Sequence, residues 1–301
     1  MVKKLLKIVS VLILLALIVA GVFFYSIYIS VDRVNLSYQT ISSSKIPEDM
    51  NDLKIAFISD IKYNEYMNKE RLTSMISKLN TTGADVVIFG GDMFSNPQTK
   101  APDSQMSKDL TTILKSIDAP LGKFAVLGDE DLANDKTKKI VSQILYDSDF
   151  EILSDTSIRL RNKGDSSISL IGLNNMLNGD PQPDRAMKKV SEDEFNILVT
   201  HCPDIVKTSG INTKYLNLII AGHSLGGQIY LPLLGPLHTM EGAATYNHGS
   251  YDINGTSLYV SNGLGTKDID MRLLAPPQIL VFRLQHESGK KYRGWETAVS
   301  A

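Results

Sequence analysis

The 301-residue chain is 43% apolar and 21% charged, which excludes a disordered tail or a coiled coil as its main substance. Its 31 basic residues are balanced by 33 acidic ones, and a formal charge of −2 excludes nucleic-acid binding driven by bulk basicity. A single cysteine, Cys202, excludes an intramolecular disulfide framework and thiolate metal modules, so any metal must be held by Asp, Glu, Asn or one of five histidines.

In chain order, the first feature is an uncharged apolar run from Ile8 to Ser30, long enough as a helix to cross about 30 Å of hydrocarbon. Lys3, Lys4 and Lys7 precede it and only Asp32 and Arg33 follow closely, so the positive-inside rule keeps the N-terminus in the cytoplasm and exports the remainder. Residues 1–31 are therefore expected to be an uncleaved, single-pass signal anchor in the cell membrane. A cleavable signal peptide is the alternative, although its apolar core usually runs only about 7–15 residues. Residues 32–52 read as an extended linker arm, 53–285 as one α/β domain, and 286–301, with Trp295 and mixed charge, as a solvated tail.

Within the domain, Lys54–Ser59, Asp85–Gly90 and Lys123–Gly128 read as strands. Leu72, Met75, Ile76 and Leu79 form the apolar stripe of a helix behind an Asn68 cap, and residues 104–118 and 135–147 predict two further helices. From Ser157 onward the runs are shorter and strand-like: Ser157–Arg161, Ser167–Gly172, Asn196–His201, Leu216–Gly222, Gln228–Leu231, Ser257–Ser261 and Gln278–Leu284. Helices alternating with strands in the first half and strands dominating the second predict a layered α/β domain with two facing sheets.

Five apolar runs end in a potential metal ligand: Asp60, Asp92 and Asp129 after the first three strands, and His201 and His223 after two later ones. Ligands of open α/β sheets bind at the carboxyl ends of the strands, so this placement gathers three carboxylates and two imidazoles. Each alone also suits a turn or a helix cap. Gly90, Gly91, Gly128 and Gly222 suit turns in which backbone closely approaches a bound ion or phosphate.

The segments Ile58-Ser59-Asp60, Gly91-Asp92, Gly128-Asp129-Glu130-Asp131, Thr200-His201-Cys202-Pro203 and Ala221-Gly222-His223-Ser224-Leu225 resemble, in order and spacing, the calcineurin-like metallophosphoesterases. The likeness is nearest to their bacterial membrane-anchored branch, spans roughly residues 50–285, and extends through Tyr259–Gly265 to Arg272. It implies a four-layer α-β-β-α sandwich behind the membrane helix. It also implies hydrolysis of phosphoester, phosphodiester or pyrophosphate bonds with divalent metal.

Three family positions are replaced. Lys62 stands for the histidine of Asp-x-His, Asp129-Glu130 stands for the Asn-His pair that supplies a ligand and a proton donor, and Leu225 stands for the last histidine of Gly-His-x-His. By resemblance one metal keeps only Asp60 and Asp92, whereas the other retains Asp92, Asp129, His201 and His223, a set suited to one Zn, Mn or Fe ion. A Lys62 ammonium in the lost site would neutralise facing carboxylates, although Lys62 equally could face solvent while Asp60 caps a turn. Glu130 is the substitute acid, and Arg272 either grips phosphate or makes a structural ion pair. His238 and His248 lie in a glycine-rich stretch, 235–250, that could cover the site.

Two readings follow. One is a membrane-anchored extracytoplasmic hydrolase of a phosphorylated small molecule or a lipid-linked substrate, with catalytic Glu130, Lys62 and Arg272. The other is a catalytically retired member of the same fold that binds a phosphorylated ligand or partner at the cell envelope.

Overall fold

Side chains alternate between two cores along almost every strand, and that alternation builds the layers. In β2, Ile55 and Phe57 face one core while Ala56 and Ile58 face another, as a period-two pleat requires when both faces of a sheet are covered. The structure, a computed structural model, describes residues 2–64, 66–208 and 210–287. The elements are α1 (Val2–Tyr28), β1 (Asn35–Ser43), β2 (Lys54–Ile58), α2 (Lys69–Asn80), β3 (Val86–Phe89), α3 (Ser104–Lys115), β4 (Lys123–Ala125), α4 (Asp135–Asp147), β5 (Phe150–Ile152), β6 (Thr156–Leu160), β7 (Ile168–Gly172), α5 (Pro183–Met187), β8 (Asn196–Thr200), β9 (Leu218–Ala221), β10 (Tyr230–Leu231), β11 (Gly235–Pro236), β12 (Gly249–Ile253), β13 (Thr256–Val260) and β14 (Gln278–His286).

One six-stranded sheet runs β1-β14-β2-β3-β4-β5 and the other β12-β13-β9-β8-β7-β6. β2, β3, β4 and β5 are parallel neighbours in the first sheet, as are β7, β8, β9 and β13 in the second. Phe57, Ile88, Val126, Leu170, Ile197, Ile220 and Phe282 meet between the sheets. α2, α3 and α4 cover the outer face of the first sheet with Leu72, Ile76, Leu110, Leu114, Val141 and Ile144. The second sheet is covered more thinly, by α5 and short 3-10 turns through Ala186, Ile205, Val206 and Leu216. The order of layers is thus the expected α-β-β-α sandwich, behind a 27-residue apolar helix long enough to cross a membrane.

The three core helices begin where their caps dictate. Asn68, Asp103 and Asn134 each accept a hydrogen bond from the backbone N–H three residues on, satisfying one of the donors a helix start leaves free.

Residues 32–52 differ from a free linker arm. Asn35–Ser43 pairs in parallel with β14 along its whole length, and Ile46 and Met50 are buried in the inter-sheet core. The polar edge strand Asn-Leu-Ser-Tyr-Gln-Thr-Ile-Ser-Ser lacks the apolar run that marks a central strand, because only one of its sides is covered. β5 and β12 were likewise without a sequence signal, and Gln228–Leu231 contributes only the short β10, paired with β11 in a hairpin. Trp295 and residues 288–301 of the expected tail lie outside the described residues.

Phe57 is fully buried and its ring lies against Gly90, where any Cβ would collide with it. Phe57→Ala is expected to lower the unfolding free energy by about 3–5 kcal/mol, read from urea denaturation of the detergent-solubilised chain.

Candidate metal centre

The carboxyl ends of β2, β3 and β4 deliver Asp60, Asp92 and Asp129, and those of the facing β8 and β9 deliver His201 and His223. The backbone must turn sharply to aim these side chains back across the sheet ends. Asp60, Lys62, Asp92 and His223 all adopt left-handed conformations, with φ of 51°, 52°, 63° and 69°. Such conformations cost about 1–3 kcal/mol each and persist only where surroundings over-determine them. Here Asp60 N–H donates to Gly91 O at 2.8 Å, Gly265 N–H donates to Asp60 O at 2.7 Å, and Tyr63 N–H donates to Met93 O at 2.8 Å, lacing the loops together. At Gly128 a Cβ would fall on the Asp92 carboxylate, so glycine is required by close approach.

Asp92, Asp129, His201 and His223 form a cluster whose ligand atoms all lie within 4.8 Å of one another. His201 Nδ1 is 2.6 Å from Gly90 O and His223 Nε2 is 2.8 Å from Glu241 O, which assigns a proton to each of these outer nitrogens. The inner nitrogens, His201 Nε2 and His223 Nδ1, are 3.0 Å apart, and each is 3.1 Å from Asp129 Oδ1. His201 Nε2 is also 3.3 Å from Asp92 Oδ2. In neutral imidazoles these inner positions are lone pairs, so two nitrogen and two oxygen donors converge where positive charge, a metal ion or a ring proton, relieves their repulsion.

The electrostatics agree. Burial pushes the His201 pKa down, but the Asp92 charge and hydrogen bonds to Asp129 and Asp92 outweigh it and hold the pKa well above the usual histidine value. For Asp129, burial pushes upward, but hydrogen bonds to His201 and His223 prevail and hold the carboxyl well below its ordinary range. The cluster demands positive charge, and this N₂O₂ donor set fits a divalent transition ion such as Zn, Mn or Fe.

Lys62 does not face solvent. It is 1% exposed, and its Nζ is ion-paired with Asp92 and lies 3.1 Å from Glu130 Oε1. Burial alone would lower the lysine pKa, but the charges of Asp92, Glu130, Asp60 and Asp129 raise it well above normal, so it remains an ammonium. Asp60 Oδ2 accepts from His223 N–H at 2.9 Å, while its buried Oδ1 has no hydrogen-bond partner. Leu225, fully buried, supplies an apolar side chain where the family's last histidine would stand.

The other expected residues are placed differently. Glu130 Oε1 faces both Lys62 and Lys267, the latter at 3.4 Å, and Oε2 accepts from Asn96 N–H at 2.8 Å, so its oxygens are held by donors. Arg272 does not reach the cluster. Its guanidinium is fully buried and donates to the carbonyls of Leu225, Asn262, Gly265 and Ala275, pinning three loops, while burial drives its pKa down to about 9. A run of sequence cannot show that a cation is satisfied by backbone carbonyls. His248 stacks on Tyr230 with ring centroids 4.7 Å apart, and His238 lines a separate cavity of 270 Å³. The Cys202 thiol is buried, which pushes its pKa up to about 12 and leaves it inert.

Two features had no assigned role in the sequence. Asp131 is fully buried, and its carboxylate accepts backbone N–H groups from Asp92, Met93 and Gly128 at 2.8–2.9 Å, fixing the loop that carries Asp92. Burial and the Asp92 charge raise its pKa to about 6 against these hydrogen bonds. Lys267 and Asn178 line a 230 Å³ cavity against Asp129 and Glu130, and Asn178 Nδ2 donates to Asp129 O at 2.9 Å.

Arg272→Lys, which loses the planar fork, is expected to lower stability by about 3 kcal/mol, the worth of one or two charge-assisted hydrogen bonds, in chemical denaturation. KM for a phosphodiester should stay unchanged, whereas a phosphate-gripping arginine would raise it. Asp131→Asn places an amide N–H₂ against backbone donors and is expected to cost about 1–3 kcal/mol with reduced metal occupancy by elemental analysis.

The model of the calcineurin-like phosphoesterase family matches residues 53–227. An uncharacterized metallophosphoesterase of Bacillus subtilis, YkuE, is 30% identical over 271 residues, covering 90% of this chain and 92% of its own. A metallophosphoesterase of Campylobacter jejuni is 28% identical over 92% of this chain and 70% of its own. The UDP-2,3-diacylglucosamine pyrophosphatase LpxG of Chlamydia muridarum is 22% identical over 79% of this chain and 85% of its own. A family match across more than half the chain, over the strand ends that carry Asp60, Asp92, Asp129, His201 and His223, makes this protein a member of the calcineurin-like phosphoesterase family.

Proposed function

We propose that the protein is a membrane-anchored, extracytoplasmic phosphoester or phosphodiester hydrolase that works with one divalent metal. The observation that carries this reading is the convergence of four donors within 4.8 Å beside a buried ammonium that takes the place of a second cation. Asp92, Asp129, His201 Nε2 and His223 Nδ1 would hold the ion. When bound, a divalent ion supplies Lewis-acid polarisation of a phosphoryl oxygen and acidifies water to a pKa of about 7.

The chain's own residues set the rest. The Gly90 and Glu241 carbonyls fix the tautomer of each imidazole and aim its free nitrogen. Lys62 holds Asp92 and Glu130 together, giving the carboxylates a permanent counter-charge. Lys267, one-third exposed at the 230 Å³ cavity, offers a cation to an entering phosphate. α1, with Lys3, Lys4 and Lys7 at its start, supports an outward orientation for the domain. The similarity to LpxG, a UDP-2,3-diacylglucosamine pyrophosphatase, supports a lipid-linked pyrophosphate as substrate class.

A second reading, a retired enzyme that binds a phosphorylated ligand, is favoured by one observation. Glu130 stands at the family's proton-donor position but is clamped between two ammonium groups and an amide. General acid catalysis typically contributes about 10²–10⁴-fold, and its loss would leave a slow enzyme or none.

The purified full-length chain is expected to hold one metal per chain by elemental analysis and to hydrolyse bis(p-nitrophenyl) phosphate. His223→Ala should weaken metal binding by about 100-fold or more, since outer partners of metal ligands alone account for 10–100-fold. One metal without turnover selects the binding protein, and no metal removes both readings. Two metals per chain would overturn the role given to Lys62. Lys62→Ala leaves buried carboxylates without their cation, and should lower stability by about 3–5 kcal/mol and make it more responsive to added Mn²⁺ in thermal melts.

A further inference from the structure

The hairpin formed by β10 and β11 turns on two exposed leucines, Leu233 and Leu234, and a third, Leu237, follows it. Leu233, Leu234 and Leu237 are 105%, 81% and 66% exposed, and Ile269 and Leu274 beside them are also exposed. Leu233 and Leu274 adopt left-handed backbone, with φ of 69° and 54°, a conformation that glycine or asparagine would take with less strain. Leu233 is fully exposed and Leu274 more than half exposed, so little burial inside the domain offsets that strain. Contiguous exposed apolar residues of this kind mark an interaction surface.

The position of the patch identifies what it meets. A hydrocarbon core about 30 Å thick takes about 20 helical residues, so a span starting at Ile8, where the charges end, reaches the outer boundary near Ile27. At that level the helix is fastened to the domain. The carbonyl of buried Ser26 accepts from Arg272 N–H at 3.0 Å, Val31 O accepts from the Arg71 guanidinium, and Asp32 is 2.9 Å from Arg71 Nε. The hairpin is built on the same loop: Tyr230 N–H donates to Leu273 O at 2.8 Å and Leu273 N–H to Gln228 O at 3.0 Å. Continuous hydrogen bonding therefore runs from the end of the membrane helix through residues 272–273 to the hairpin.

We propose that the hairpin, with Leu233 and Leu234 at its turn and Leu237 just beyond β11, is a second, shallow contact with the lipid bilayer, held there by the hydrogen-bonded junction with α1. The inference rests on the membrane-anchored reading and extends it to the substrate. A 270 Å³ cavity lined by Ile229, Leu237, Met240 and Ile269 opens beside the hairpin, and its Lys267 also lines the 230 Å³ cavity at Asp129 and Glu130. An amphiphile in the outer leaflet can place its apolar portion against the leucines while its phosphate passes Lys267 toward the metal ligands. The substrate class is a membrane-borne phosphoester or pyrophosphate rather than a freely soluble one.

The test uses the full-length chain in phosphatidylcholine/phosphatidylglycerol vesicles that carry doxyl-labelled lipids. Leu234→Cys, labelled with an environment-sensitive fluorophore, is compared with Tyr146→Cys on α4, which is 76% exposed; buried Cys202 stays unlabelled. Quenching at 234 several-fold above that at 146 is expected, and equal quenching overturns the proposal. In a second arm, Leu233→Asp combined with Leu234→Asp is assayed on vesicle-borne diacylglycerophospho-p-nitrophenol and on soluble bis(p-nitrophenyl) phosphate. Loss of about tenfold or more on the lipid with soluble turnover unchanged supports the bilayer contact, and equal loss on both overturns it. If wild type turns over neither substrate, the hydrolase reading falls and quenching alone decides the hairpin.

Discussion

Uncompensated negative charge is the constraint around which the centre is organised. Asp60 and Asp92 are fully buried, and Asp129 sits with them among two imidazoles. Carboxylates taken out of water are stable only with cations or hydrogen-bond donors against them. The fold supplies one cation permanently as Lys62 and arranges donors for another between His201 and His223. A fixed ammonium cannot polarise a phosphoryl oxygen as a metal ion does. It does, however, hold the carboxylates in place without loading or loss. In the proposed single-metal reading, the substitution exchanges part of a two-metal clamp for a permanently formed half-site.

That half-site depends on bracing drawn from all over the chain. Four residues of the centre sit in left-handed backbone, and the strain is carried by groups that touch no ligand. Asp131 clamps the loop after β3 through three backbone N–H groups, and Arg272 ties the loops after β9 and β13 to the 272–275 segment. Both are charged groups spent on backbone. Substituting them would disturb the metal ligands by moving loops rather than by removing donors, and such effects are easily mistaken for catalytic ones.

The junction at Ser26, Val31 and Arg71 fastens the apolar helix to the domain and would give it a mechanical role in the proposed membrane-anchored state. A flexible tether would let the domain tumble above the bilayer. Here β1 follows the helix at once and is paired along β14, so the orientation of the domain relative to α1 is set by hydrogen bonds. The leucine hairpin is hydrogen-bonded to that junction through residues 272–273, and Lys267 lines both the cavity beside the hairpin and the cavity at Asp129 and Glu130.

Local pattern carried much of this protein. The apolar run from Ile8, the Asn68 cap with its Leu72–Leu79 stripe, and the strands ending in Asp60, Asp92, Asp129, His201 and His223 are periodic or positional signals that survive in one dimension. β1 escaped because an edge strand covered on one side has no apolar run, and β5 because three residues are too few to show a period. The sequence by itself determined the layered class, an apolar helix long enough to cross a membrane, and the gathering of Asp60, Asp92, Asp129, His201 and His223, since strand ends in parallel sheets must meet at one edge, while the likeness to the family picked four of them as one ligand set. Tertiary structure alone decided that Lys62 is buried as a counter-ion, that Glu130 is clamped, and that Arg272 braces loops rather than gripping phosphate. The role of a charged side chain is fixed by which dipoles and charges are packed around it, and those partners come from residues far away in the chain.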